Sequence, residues 1–175
     1  MREKYILPIH IIFAIILIFT VYKTKVWREW NRYYNTILFF VLGDLMYMFL
    51  FEDKLLWRHC SILISEKQTN CIWMFLTYPC TTLLLLKFYE RQKALSRKIL
   101  IILFWVIVYV IVEVLLCKFR LIHYYHGWNF YYSALFDLFI ILTLVLHHYK
   151  PLWAILETAI VAIISMYAFM GTISI

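Results

Sequence analysis

The fold is decided by one apolar run, Leu100 to Cys117, which reads LIILFWVIVYVIVEVLLC. As a helix this run would rise about 27 Å, close to the roughly 30 Å hydrocarbon core of a bilayer. Glu113 is its only charged residue. A polar and aromatic turn, Lys118 to Trp128, separates it from a second apolar run that carries Asp137. The pattern predicts two adjacent membrane-spanning helices, each with a carboxyl group inside the membrane.

The composition of the whole chain agrees with this prediction. Of its 175 residues, 65% are hydrophobic and 15% are charged, whereas a soluble domain has about 45–50% apolar and about 25% charged residues. So few charges cannot cover a surface that faces water, so the lipid bilayer is the expected surrounding medium. The net charge of +7 lies in short clusters between apolar runs, which is typical of topology signals and not of nucleic-acid binding.

The apolar runs predict an all-α, polytopic transmembrane helix bundle with six spans, or five if the first or last run lies in the interface. We treat residues 1–175 as a single membrane domain. The expected spans are about 5–22, 33–51, 71–89, 99–117, 130–149 and 152–175. Pro79 predicts a kink near Thr77 in the third span. A weak amphipathic pattern in residues 52–70 favours a short helix in the interface.

The distribution of basic residues predicts the topology. With six spans, the loops after spans one, three and five hold four, five and one Lys or Arg residues, ten in all. The remaining loops and the two termini hold seven. The positive-inside rule therefore places the first set in the cytoplasm and both termini outside.

The candidate intramembrane polar cluster consists of Asp44, Glu113 and Asp137, with Tyr109 and Ser133 one helical turn before an acid. A charged carboxylate at a helix centre costs about 2.5–3.5 kcal/mol on insertion scales, so such residues usually face the interior of a bundle. The cluster could line a cavity, a proton path or a cation site. Alternatively, its members form interhelical hydrogen bonds, each contributing about 0.6–2 kcal/mol to packing.

Two further groups lie at the membrane edges. His147 and His148 end the fifth span and Glu157 begins the next, so a His–Glu pair at the cytoplasmic edge is expected. At the opposite edge, the candidate contacts for a lipid head group are Lys118, Arg120, Tyr124 and Trp128. The alternative for these aromatic residues is the ordinary interfacial belt.

Motifs for enzymatic chemistry and metal binding are missing from the sequence. It contains no Walker loop, G-x-G-x-x-G, G-x-S-x-G or H-E-x-x-H, so it supports no enzyme class and no cofactor. His123 and His126 stand three residues apart, but no further ligands have matching spacing for zinc. Cys60 and Cys71 could form a disulfide. A single pair of cysteines is not a framework of several disulfides, however, so we expect free thiols.

The layout of residues 33–150 resembles an uncharacterised family of small multi-pass membrane proteins of endospore-forming Gram-positive bacteria. The residues that carry the resemblance are Thr77-Tyr78-Pro79, Glu113-Val114, and Leu121-Ile122-His123-Tyr124 followed by Trp128. The run from Leu152 departs from the family, whose members often end soon after the fifth span. The resemblance implies a bacterial plasma membrane and no catalytic activity.

Three functions are compatible with these observations. The first is an integral membrane protein that acts in the cell envelope through lipids or through protein partners, including a second copy of itself. The second is a small proton- or cation-coupled transporter or channel that uses the intramembrane carboxylates. The third is a membrane enzyme acting on a lipid substrate.

Overall fold

The computed structural model describes residues 9–61 and 64–170, and the prediction of an all-α bundle is confirmed. The helices are α1 (Ile9–Thr24), α2 (Trp30–Leu50), α3 (Glu66–Ile72), α4 (Tyr78–Glu90), α5 (Leu95–Lys118), α6 (Phe130–Tyr149) and α7 (Pro151–Met170). A 3₁₀ turn, Val26–Glu29, precedes α2, and a π-helical turn, Trp73–Thr77, joins α3 to α4. Two short strands, β1 (Trp57–His59) and β2 (Ile122–Tyr124), complete the described elements.

Five continuous helical segments are long and apolar enough to cross a membrane: Val26–Leu50, Glu66–Glu90, Leu95–Lys118, Phe130–Tyr149 and Pro151–Phe169. The shorter α1 is also apolar and has 16 described residues. Residues 5–8 of the first predicted span and 171–175 of the last lie outside the described residues. These segments make the chain a multi-pass membrane protein.

The centre of the bundle is α4. Four consecutive leucines, Leu83 to Leu86, are buried, with exposed fractions from 0% to 7%. A helix that is apolar and buried all round must be surrounded by other helices, and α4 packs against α1, α2, α5 and α6. Ile141 and Leu144 of α6 are also almost fully buried in this core.

Pro79 explains the π-helical turn before α4. Proline has no N–H to donate to the carbonyl group four residues earlier, so a regular helix is interrupted one turn before it. The backbone N–H of Tyr78 instead bonds to the carbonyl oxygen of Trp73, five residues back. The expected kink near Thr77 therefore takes the form of a π-helical turn, a feature that often occurs at functional sites.

The loops on one side of the bundle are joined by a two-stranded antiparallel sheet. Strand β1 pairs with β2 in the register Trp57 with Tyr124 and His59 with Ile122. The Tyr47 hydroxyl supports the sheet by accepting bonds from the backbone N–H groups of Leu56 and Trp57, at 2.9 and 3.2 Å. The interfacial helix predicted in residues 52–70 is therefore wrong for its first half, which forms β1, while α3 begins at Glu66. We call this side of the bundle the sheet side.

The other side carries the clusters of basic residues, and we call it the basic side. Lys87 of α4 forms an ion pair there with Glu29 of the 3₁₀ turn. Arg32 of α2 pairs with Glu90 at 2.9 Å, and the Tyr33 hydroxyl donates to the same carboxylate at 2.7 Å. These bonds bring the loop after α1 and the loop after α4 to the same end of the bundle.

Candidate intramembrane polar site

The three intramembrane acids lie in the half of the bundle next to the sheet. Asp44 is six residues before the end of α2, Glu113 is five residues before the end of α5, and Asp137 is seven residues after the start of α6. At 1.5 Å per residue these positions are about 8–10 Å from the helix ends on the sheet side. The structure therefore places all three acids at a similar depth.

Glu113 is the most enclosed of the three acids, with 7% of its surface exposed. Its Oε1 atom accepts hydrogen bonds from the hydroxyl groups of Ser133 and Tyr124, the latter at 2.6 Å. Its Oε2 atom is buried and has no hydrogen-bond partner among the described residues. The predicted proximity of Glu113 and Ser133 is thus present, while Tyr124 supplies a bond from the sheet that the sequence did not reveal.

Tyr124 reaches Glu113 because β2 folds over the ends of α5 and α6. Its hydroxyl also lies 3.3 Å from the Cys117 Sγ atom. Burial, followed by the bonds to Cys117 and Glu113, raises the pKa of Tyr124, so the hydroxyl stays protonated and can donate to the carboxylate. The loop is therefore attached to a membrane helix by a hydrogen bond to an acid.

Asp137 lies close to Glu113. It is half-buried and interacts electrostatically with Glu113, and also with the hydroxyl groups of Tyr78 and Tyr109. No hydrogen bond to its carboxyl group is formed within residues 9–61 and 64–170. Asp137 is therefore the least satisfied acid of the cluster.

Asp44 is connected to this group through α4. Its Oδ1 atom accepts a hydrogen bond of 3.1 Å from the Tyr78 hydroxyl. Tyr109, a member of the predicted polar cluster, donates to the Thr81 hydroxyl at 3.0 Å. The five predicted residues thus share one region, but only Glu113 and Ser133 are bonded to each other.

A cavity opens beside Asp44 on the sheet side. Its walls come from α2, β1, α3 and the π-helical turn, and they include the aromatic rings of Tyr47, Trp57, Trp73 and Tyr78. Tyr47 and Trp57 stack with ring centroids 4.0 Å apart and planes 3° apart. No pattern in the sequence indicates this cavity, because the sheet and the π-helical turn bring these rings together from distant parts of the chain.

Two histidines lie at the cavity: His59 is half-buried and lines it, and His10 is buried against His59. His10 accepts a hydrogen bond of 3.1 Å from the Trp73 indole, and its ring is 5.1 Å from that of His59. Burial and the neighbouring His10 lower the pKa of His59 to about 3, so the His59 ring is neutral. Its Nδ1 atom is buried without a hydrogen-bond partner among the described residues.

The predicted head-group contacts divide into two pairs. Lys118 and Arg120 are exposed on the sheet side. Tyr124 instead bonds to Glu113, and Trp128 is 8% exposed, packed against Leu56 and Phe51. The two aromatic residues are therefore engaged in contacts within the protein, and head-group binding stays a prediction.

The predicted His–Glu pair at the opposite edge also has a different composition. The acid bound to His148 is Glu90 of α4, at 2.8 Å, and not Glu157. His147 makes a 3.0 Å hydrogen bond to Thr36. Glu157 is half-buried in the second turn of α7, and α6 turns the two histidines towards α2 and α4 instead.

Within the described residues, no group of three or more His, Cys, Asp or Glu side chains could hold a metal ion. Cys60, Cys71, Cys80 and Cys117 are all free thiols. Comparisons with protein-family models, with curated proteins and with solved structures find no match for the chain. The functional argument therefore depends on the geometry of the polar site.

The bond between Tyr124 and Glu113 can be tested by removing one oxygen atom. Tyr124→Phe leaves the buried carboxyl group with Ser133 as its only remaining donor, so we expect a loss of about 1–3 kcal/mol in the free energy of unfolding. We also expect faster reaction of the Cys117 thiol with a maleimide. Unfolding in detergent and thiol labelling measure the two effects. Tyr125→Phe is the matched control, because Tyr125 is exposed, and equal behaviour of the two variants would contradict the assignment.

Proposed function

We propose that the protein is a small proton- or cation-coupled transporter that uses Asp44, Glu113 and Asp137. The proposal is carried by one observation: the acids share a depth, and Glu113 and Asp137 interact with each other, yet these two are not fully bonded. Acids that served only to fix helix packing would be expected to have hydrogen-bond partners on neighbouring helices. Asp137 has none in the described part of the chain, and Glu113 leaves Oε2 without one. A proton or a bound cation would satisfy these atoms.

The two halves of the bundle differ in a way that supports this proposal. On the sheet side, a cavity reaches Asp44. Towards the basic side, Leu83 to Leu86 and Leu144 belong to the buried core, and the bonds of Arg32 and His148 to Glu90 join the helix ends. In the described part of the chain, the cavity that reaches an acid opens on the sheet side, which fits a carrier that changes conformation better than an open channel. The π-helical turn is a natural hinge for that change.

The proposed location is a bacterial plasma membrane, with the basic side in the cytoplasm. The location is supported by the family resemblance and the orientation by the excess of Lys and Arg on the basic side. With six spans, the sheet and both termini would then face outward. The cavity would open to the exterior, so the substrate would be taken from outside the cell.

Transport can be measured with purified protein in liposomes that contain a pH-sensitive dye. An imposed pH gradient, with potassium and valinomycin to clamp the potential, should dissipate faster than in protein-free liposomes. We expect Asp137→Asn to reduce the protein-dependent rate at least tenfold, because it removes the titratable group that has no hydrogen bond among the described residues. The control is Asp53→Asn, an identical change at an exposed loop residue. A wild-type rate in Asp137→Asn would refute the proposed role.

Orientation can be measured by labelling single cysteines in intact cells. In a background without the four native cysteines, Lys118→Cys should react with a membrane-impermeant maleimide, because it lies on the sheet side. Lys93→Cys, on the basic side, should react only after the cells are opened. Both positions are exposed, so accessibility within the protein is matched, and the reverse labelling pattern would overturn the proposed orientation.

A second candidate function, action through a protein partner or a second copy of the chain, is favoured by the position of α7. This helix packs along α6 and leaves a continuous row of large side chains exposed, including Ile160 and Ile163. In this case Ile160→Cys, in the cysteine-free background, should form a defined cross-linked species in native membranes. The control is Ile107→Cys on α5, which is exposed to a similar degree. Equal cross-linking at both positions would count against a specific interface.

A further inference from the structure

We infer that the cavity beside Asp44 is a binding site for a small primary ammonium ion. The inference deepens the proposed function, on which it rests, by naming the class of cation that would bind first. It is argued from the size of the cavity, from its aromatic walls and from the polar atoms that face it.

The volume of the cavity limits the ligand to a few heavy atoms. It is about 30 Å³, whereas one water molecule needs about 10–15 Å³ measured in this way. Methylammonium has two heavy atoms and falls within this limit. Tetramethylammonium has five and would require the stacked rings of Tyr47 and Trp57 to separate.

The aromatic walls favour a cation over a neutral ligand of the same size. Cations are attracted to the faces of Trp and Tyr rings, and more strongly when they are desolvated. Trp57 is held by its stack on Tyr47, while Trp73 and Tyr78 are fixed at the two ends of the π-helical turn with ring centroids 5.9 Å apart. The rings therefore have defined positions before any ligand binds.

The polar groups at the cavity favour an ammonium ion with N–H donors. The Asp44 carboxylate supplies the negative charge and is bonded through Oδ1 to Tyr78, which leaves Oδ2 as an acceptor. The Asn70 side-chain amide lines the cavity, and its nitrogen is turned to the Met48 sulfur at 3.9 Å, so its oxygen is available. A quaternary ammonium could use none of these acceptors.

The charges at the rim also favour a cation. Glu66 and Arg58 both line the opening. The Arg58 guanidinium is directed over the ring of Tyr125, 6.0 Å from its centroid, so its charge is engaged on the side of β2. The lining contains two acids and one base, and its net charge attracts cations from the sheet side.

The inference is tested by equilibrium dialysis of radiolabelled methylammonium against the purified full chain in detergent. We expect saturable binding of one ion per chain, displaced by ammonium and not by tetramethylammonium. Asp44→Asn, which keeps the shape of the side chain, should weaken binding at least tenfold, while Asp53→Asn should leave it unchanged. The size discrimination uses only the wild-type protein, so the test does not depend on the folding of a variant.

The inference is overturned if the wild-type protein shows no saturable binding, if tetramethylammonium competes equally, or if Asp44→Asn binds as well as wild type. Binding without any flux in liposomes would uphold the ammonium site and refute the proposed transport. Proton flux that depends on Asp137, in a protein that does not bind methylammonium, would uphold the proposed transport and refute the ammonium site. The two proposals therefore fail in different measurements.

Discussion

The hydrogen bond from Tyr124 to Glu113 is the interaction on which the sheet-side half of the molecule depends. A carboxyl group in the hydrocarbon region is expensive unless it finds partners inside the protein. Glu113 finds one on α6 and one on a loop strand. The bond to the strand fixes β2 over the helix ends, and β2 in turn pairs with β1. One buried acid thus orders loops that are distant in sequence, and these loops supply a wall of the cavity.

The helical part of this structure could be predicted from the sequence because lipid imposes a simple rule. Backbone groups in the hydrocarbon must be bonded internally, so a long apolar run such as Leu100 to Cys117 has to be helical. The turn at Pro79 is equally local, because it follows from the missing N–H. The shared region of Glu113, Asp137 and Ser133 follows from the adjacency of α5 and α6, which a short connection requires.

The cavity could not be predicted in the same way, because it depends on pairings between distant residues. Strands of three residues are too short to show an alternation of apolar and polar residues. Nothing in the sequence around Trp57 indicates that it pairs with Tyr124. The choice of Glu90 instead of Glu157 as the partner of His148 depends on which helix α6 packs against. Aromatic residues are ambiguous for a related reason: Trp128 looks interfacial in sequence, yet the sheet covers it.

The two halves of the bundle differ in their buried polar residues, and this difference bears on the role of the intramembrane acids. If the acids served only to hold helices together, buried acids between helices would be useful at any depth, including beside α4. Instead, the buried polar residues closest in sequence to Leu84 and Leu85 are the threonines Thr81 and Thr82, and the three acids lie in the half of the bundle that contains the cavity beside Asp44. Packing in that half gains little from Asp137, which lacks a hydrogen bond within the described residues. The hydrogen-bonding capacity of Asp137 that this leaves unused is the feature on which the proposed transport rests.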